Sequence, residues 1–161
     1  MAALRVLAVA VASGRAGYVL LRGNELIDWG VAQKATRSGS ELVGYVQKLI
    51  GDLKPDVVVT ERCDETCRKG GRSRRLIQAV AALASHNGVL DVSVRRPREH
   101  ASKYEEAAAF AARFPDVRGY LPKRKRRIFD FEPKGLIIFE ALALAEAVRR
   151  GPPEALAAAM G

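Results

Sequence analysis

Apolar and polar positions alternate on two different periods along this chain. From residue 4 to residue 33 the spacing is that of strands. Residues 4–12, with Val6-Leu7-Ala8-Val9-Ala10-Val11-Ala12, form a first strand, and Gly14-Arg15-Ala16-Gly17 makes a turn. Tyr18 to Leu21 is a second strand, Gly23-Asn24 a second turn, and Leu26 to Gln33 a third strand. Short turns carrying glycine are hairpin signals, so the three strands are expected to run antiparallel in sequence. The period then lengthens. Ser38-Gly39-Ser40-Glu41 fits a capping box, and Leu42, Val46, Leu49 and Ile50 give the following helix an apolar stripe.

Pro55 leads into a β-branched strand at 56–60, and the polar, glycine-containing stretch 62–72 reads as a loop. A helix from Ser73 carries Leu76, Ile77, Val80, Leu83 and Ala84 on one broad face and stops near Asn87-Gly88. Val89 to Val94 is the fifth strand. A helix rich in Ala and Glu covers roughly 100–113, residues 116–134 are the least regular part, and a last helix runs from about 135 to 149. The order β-β-β-α-β-α-β-α-α predicts an α/β fold, a mixed sheet with helices packed over it. No repeat and no second domain is visible. A single domain over 1–150 and a short peripheral tail over 151–161, behind Pro152-Pro153, account for the chain.

Composition narrows the partner more than the fold. The chain has 161 residues, is 48% hydrophobic and carries a formal net charge of +9. That charge is uneven: residues 61–130 hold 17 of the 27 Lys and Arg but only 9 of the 18 acids, whereas the first 60 residues hold 7 bases and 5 acids. A basic surface drawn from one part of the chain favours a polyanion, nucleic acid above all. The plainer reading is a basic protein from a basic proteome. No apolar run reaches the ~18–20 residues that span a bilayer. The N-terminal run breaks at Ser13-Gly14-Arg15, so neither a membrane nor an export signal is expected, and the compartment expected is the cytoplasm. Cys63 and Cys67 are then ordinary reduced thiols; their spacing admits metal ligation, but His86 and His100 complete no recognisable site.

The candidate chemistry begins at Glu61. It ends the strand Val57-Val58-Val59-Thr60, and the basic residues Arg62, Arg68, Lys69, Arg72, Arg74 and Arg75 follow at once. An acid at a strand tip facing a basic surface suits a metal-dependent nuclease; the plain alternative is an acid paired with Arg62 or a neighbour. Glu140, in the last helix, reads on its own as an exposed acid near a helix start. Arg95, Arg96, Arg98, His100 and Lys103 follow the fifth strand. Lys123, Arg124, Lys125, Arg126 and Arg127 are consecutive cations, a solvated loop by charge repulsion or a phosphate-binding run by counterion release. Tyr120, Phe129 and Phe131 beside it either stack on bases or anchor the loop.

Three stretches together resemble the RuvC family of Holliday-junction resolvases within the ribonuclease H-like fold. Ala10 to Tyr18 looks like that family's first hairpin, which opens with an Asp and ends in Gly-Tyr. Pro55 to Glu61, followed by the helix with Gln78-Ala79-Val80, looks like its fourth strand and the helix after it. Phe139 to Ala145 looks like its final helix. The resemblance spans roughly residues 4–148 and implies a five-stranded mixed sheet, three antiparallel strands then two parallel, flanked by helices. It implies two metals, Mg2+ or Mn2+, held by clustered carboxylates, one activating water and one stabilising the leaving oxygen. Glu61 matches the strand-four Glu and Glu140 stands where the last Asp would. Ala10 stands at the first-strand Asp and Ile137 at the other helix Asp. Asp64, Glu65, Asp130 or Glu132 would have to complete the set, with Asp64 taken as the third ligand beside Glu61 and Glu140.

In function, the resemblance implies a structure-selective endonuclease acting on branched DNA, a Holliday-junction resolvase among the possibilities. The alternative is a catalytically inactive RuvC-like nucleic-acid-binding protein, which Ala10 and Ile137 favour. A third is an assembly protein with an acidic protein partner. Resolvases of this family are homodimers, and the apolar face of the helix over 73–86 is the surface available for that, unless the monomer buries it.

Overall fold

A computed structural model of the chain describes residues 3–33, 37–63, 69–122 and 135–150. Two tight hairpins set half of its sheet. β1 (Arg5–Ala12) and β2 (Arg15–Arg22) pair antiparallel with Ala12 opposite Arg15, so only Ser13 and Gly14 lie in the turn. Gly14 sits at φ 80°, the left-handed conformation such a turn demands. The turn expected over Gly14–Gly17 is therefore shorter, and Arg15 to Gly17 belong to β2. β3 (Glu25–Ala32) returns through Gly23-Asn24 as expected.

α1 (Gly39–Leu53) starts where its capping box placed it, the Ser38 hydroxyl accepting the Glu41 N–H at 3.2 Å. β4 (Val57–Glu61) lies parallel to β1, and α2 (Gly71–His86) carries the chain to β5 (Leu90–Val94), parallel to β4. α2 opens two residues before the expected Ser73, the Arg74 N–H reaching the Gly70 carbonyl at 3.0 Å. α3 (Lys103–Arg113) starts at a Ser102 cap and passes into a 3-10 helix over Pro115–Tyr120, inside the stretch expected to be irregular. α4 (Leu136–Arg150) closes the described chain. The strand order is β3-β2-β1-β4-β5, the five-stranded mixed sheet anticipated from sequence.

The alternation of strand side chains builds two cores. Leu7, Val9, Val11, Leu20 and Val58 face α1 and α2, with Leu42, Val46, Leu76, Ile77 and Val80 over them. Val6, Ala8, Ala10, Val19 and Val59 face α3 and α4, with Phe110, Ile138, Phe139 and Leu142. β1 is covered on both sides, which explains its unbroken apolar run. α4 is apolar almost all round because it lies across β1 and β2. The face of α2 considered for a dimer is spent inside the chain: Leu76, Ile77, Val80 and Ala84 are all buried in the first of these cores. The tail over 151–161 lies outside the described residues, and so does the run Lys123 to Arg127 with Phe129 and Phe131.

Candidate functional site

Because β1, β4 and β5 are mutually parallel, their C-terminal ends open on the same edge of the sheet. Glu61 ends β4 there, paired in register with Val94 of β5 and only 8% exposed. The chain leaving β5 delivers Arg96 to the same edge. The first turns of α4 bring Glu140, and α3 brings Glu106, an acid on its buried face between Ser102 and Phe110.

These acids meet cations of the same chain. Lys69 comes from the segment preceding α2; its Nζ lies 2.8 Å from Oε1 of Glu140 and also donates to the backbone carbonyl of Val11. Arg96 donates through Nη2 to Oε1 of Glu106 at 2.6 Å. Burial alone would lower the pKa of the Arg96 guanidinium; Glu140, Glu106 and Glu61 overcome that and raise it. All three carboxylates therefore act on one arginine. A polar cavity of about 70 Å3 opens beside it, lined among others by Arg15, Lys69, Arg96, Lys103, Glu106 and Glu140.

Among the described residues the donor set does not fit a two-metal centre. The two positions where the resemblance implies further acids are apolar. Ala10 stands opposite Gly17 in the β1–β2 register, and both Ala10 and Ile137 are 2% exposed. Gly17 carries α4 at such close range that a Cβ there would come 2.7 Å from Cγ2 of Ile137. Magnesium and manganese require several oxygen ligands and no competing cation, yet the ammonium of Lys69 already holds Glu140. Among the described residues no group of three His, Cys, Asp or Glu side chains is placed to hold a metal. Asp64, taken as third ligand, and Glu65, Asp130 and Glu132 lie outside the described residues.

The basic residues picked out from sequence divide. Lys69 and Arg96 are ion-paired inside the site rather than presented to solvent. Arg72 reaches the Arg37 carbonyl, and Arg74 holds the Lys69 carbonyl at 3.0 Å, which braces the segment that carries Lys69. Arg75, Arg95 and Arg98 are exposed around the same edge of the sheet. Arg68 and Lys123, Arg124, Lys125, Arg126 and Arg127 lie outside the described residues. Sequence reasoning missed Glu106, which it read as one more polar residue of an Ala- and Glu-rich helix. The available signal was its place next to Ala107 and shortly before Phe110 in the apolar stripe.

Comparison with solved structures bears on the fold. RuvC of Thermus thermophilus superposes with a TM-score of 0.57 at 16% identity, covering 91% of this chain and 96% of that one. The fowlpox virus Holliday junction resolvase gives 0.58 at 16%, covering 91% and 99%. The fold is ribonuclease H-like. The fowlpox resolvase in complex with its substrate Holliday junction DNA gives 0.57 at 15%, covering 90% of this chain and 99% of that one. No protein-family model matches the chain, and no curated protein matches it in sequence. No helix among the described residues is long and apolar enough to cross a membrane.

Proposed function

We propose that this ribonuclease H-like protein binds nucleic acid, with branched DNA its preferred form, and does so without metal-dependent strand cleavage. One observation carries the reading: the Lys69 ammonium sits 2.8 Å from Glu140, at the position a metal-binding carboxylate would need to keep open. A divalent ion could bind Glu140 only by displacing that ammonium. The basic surplus of residues 61–130 supplies the polyanion attraction, and resolvases of the same fold are known bound to Holliday junctions.

The endonuclease reading, in which Glu61, Glu140 and Asp64 hold Mg2+ or Mn2+, keeps one specific support. Glu61 stands at the tip of β4, buried and beside Glu140's partner charges. A cytoplasmic setting goes with either reading, and a homodimer would have to use a surface other than the apolar face of α2. The deciding experiment incubates labelled four-way junction, flap and duplex DNA with the protein and Mg2+ or Mn2+, beside Glu61→Gln. A retarded junction that stays intact is expected. Cutting that disappears in Glu61→Gln would replace this reading with the nuclease.

A further inference from the structure

The polar cavity at the strand edge has a composition that binding at the surface does not require. Arg15 from β2, Lys69 from the segment before α2, Arg96 from the segment after β5 and Lys103 from α3 all line it. Four separate parts of the chain thus deliver four cations to one small space. Against them stand three carboxylates, Glu61, Glu106 and Glu140, each acting on Arg96.

We propose that this cavity is a metal-independent seat for one backbone phosphate of the bound strand. The inference rests on the nucleic-acid reading above. A phosphodiester carries a single negative charge, which suits a cavity lined by four cations. The acids act as holders: Glu140 fixes Lys69 and Glu106 fixes Arg96, so each cation is oriented before any ligand arrives and little side-chain freedom is lost on binding.

Donors remain for the phosphate oxygens. Lys69 has three N–H bonds, of which the Val11 carbonyl and Glu140 engage two. Nε of Arg96 is buried and makes no hydrogen bond among the described residues, a state that costs free energy until an acceptor arrives. The cavity wall is polar apart from Ala12, Leu136 and Ile137, and its volume of about 70 Å3 suits a phosphate group. In a two-metal nuclease, ions bridge carboxylates to a phosphate; here tethered ammonium and guanidinium groups make that bridge.

The test measures affinity of a fluorescent four-way junction across a salt series, in chelator and in Mg2+. Four proteins are compared: wild type, Lys103→Ala, Lys69→Arg and the double variant Lys69→Ala/Glu140→Ala. The double variant removes the cation without leaving a bare acid behind. Wild-type affinity is expected to be the same in chelator, and Lys69→Arg to stay near wild type. The double variant and Lys103→Ala should each bind more weakly, with the slope of log K against log salt reduced by about one. Wild-type affinity and slope in both of those variants, or a divalent ion required for binding, would overturn the seat while leaving nucleic-acid binding intact. If the double variant fails to fold by circular dichroism, Lys103→Ala, at the exposed start of α3, decides alone. No binding of the junction by wild type would sink both the seat and the reading beneath it.

Discussion

Lys69 ties the end of β1 to α4: its ammonium binds the Val11 carbonyl and lies 2.8 Å from Oε1 of Glu140. Both side chains are largely shielded, at 15% and 12% exposure, so water does little to weaken the pair. One tethered charge thus satisfies a strand end and a helix acid at once, and that double duty makes its removal costly.

Truncating Lys69 to Ala is expected to cost about 3 kcal/mol of stability, because Glu140 is left as a shielded charge with its nearest cation gone. Removing Glu140 alone should cost a similar amount. The double variant should lose clearly less than the sum of the two, and urea denaturation of all four proteins measures that coupling.

Gly17→Ala should destabilise the protein by about 1–3 kcal/mol through overpacking. The added Cβ would meet Cγ2 of Ile137 at 2.7 Å and its backbone carbonyl carbon at 3.2 Å, and the second of these cannot rotate away. In an Ile137→Ala background the first clash is gone, so the penalty for Gly17→Ala should shrink without vanishing. Thermal unfolding of the two pairs checks it.

Asp91 of β5 makes stability fall as pH rises. Burial raises its pKa above the ordinary 3.8, and its Oδ1 is buried without a hydrogen bond among the described residues. The folded chain therefore holds this proton more tightly than the unfolded chain. The penalty is absent below the unfolded value, grows between the two, and is full above the folded one. Asp91→Asn should raise the melting temperature at neutral pH, and the gain should fade as pH falls towards 3.8. A gain that persists in acid would assign the effect to shape rather than charge.

Mg2+ and Mn2+ should leave the melting temperature where an equal ionic strength of NaCl leaves it. A ligand that binds only the folded state raises stability in proportion to the logarithm of its excess over Kd. A concentration-dependent rise with Mn2+ that Glu140→Gln abolishes would show that the ion displaces Lys69.

The fold was legible because its signals are local. Ser38 and Glu41 are close neighbours in the chain and fix the start of α1 by a hydrogen bond between them. Gly23-Asn24 sets a turn regardless of what lies elsewhere, and β1 shows its central place by being apolar throughout. The hairpin at Ser13-Gly14 was misplaced because Gly14 and Gly17 both look like turn glycines. Gly17 is small for a different reason, the approach of Ile137 from the far end of the chain. Glu61 and Glu140 each stood out in the sequence, while the pairing of Glu140 with a cation did not. Arg96 with Glu106, and Lys69 with Glu140, are pairings set by tertiary placement, and no spacing in the sequence encodes them.

The seam formed by Ala10, Gly17 and Ile137 also bounds what this interior can accept. An acid placed at Ala10 would enter a core strand position beside α4, and one in place of Ile137 would vacate the packing that Gly17 is shaped to receive. Ile137 borders the cavity lined by cations, and Ala10 does not. A carboxylate at Ala10 would therefore be a charge set into packed apolar core, whereas one in place of Ile137 would border the cations already gathered there.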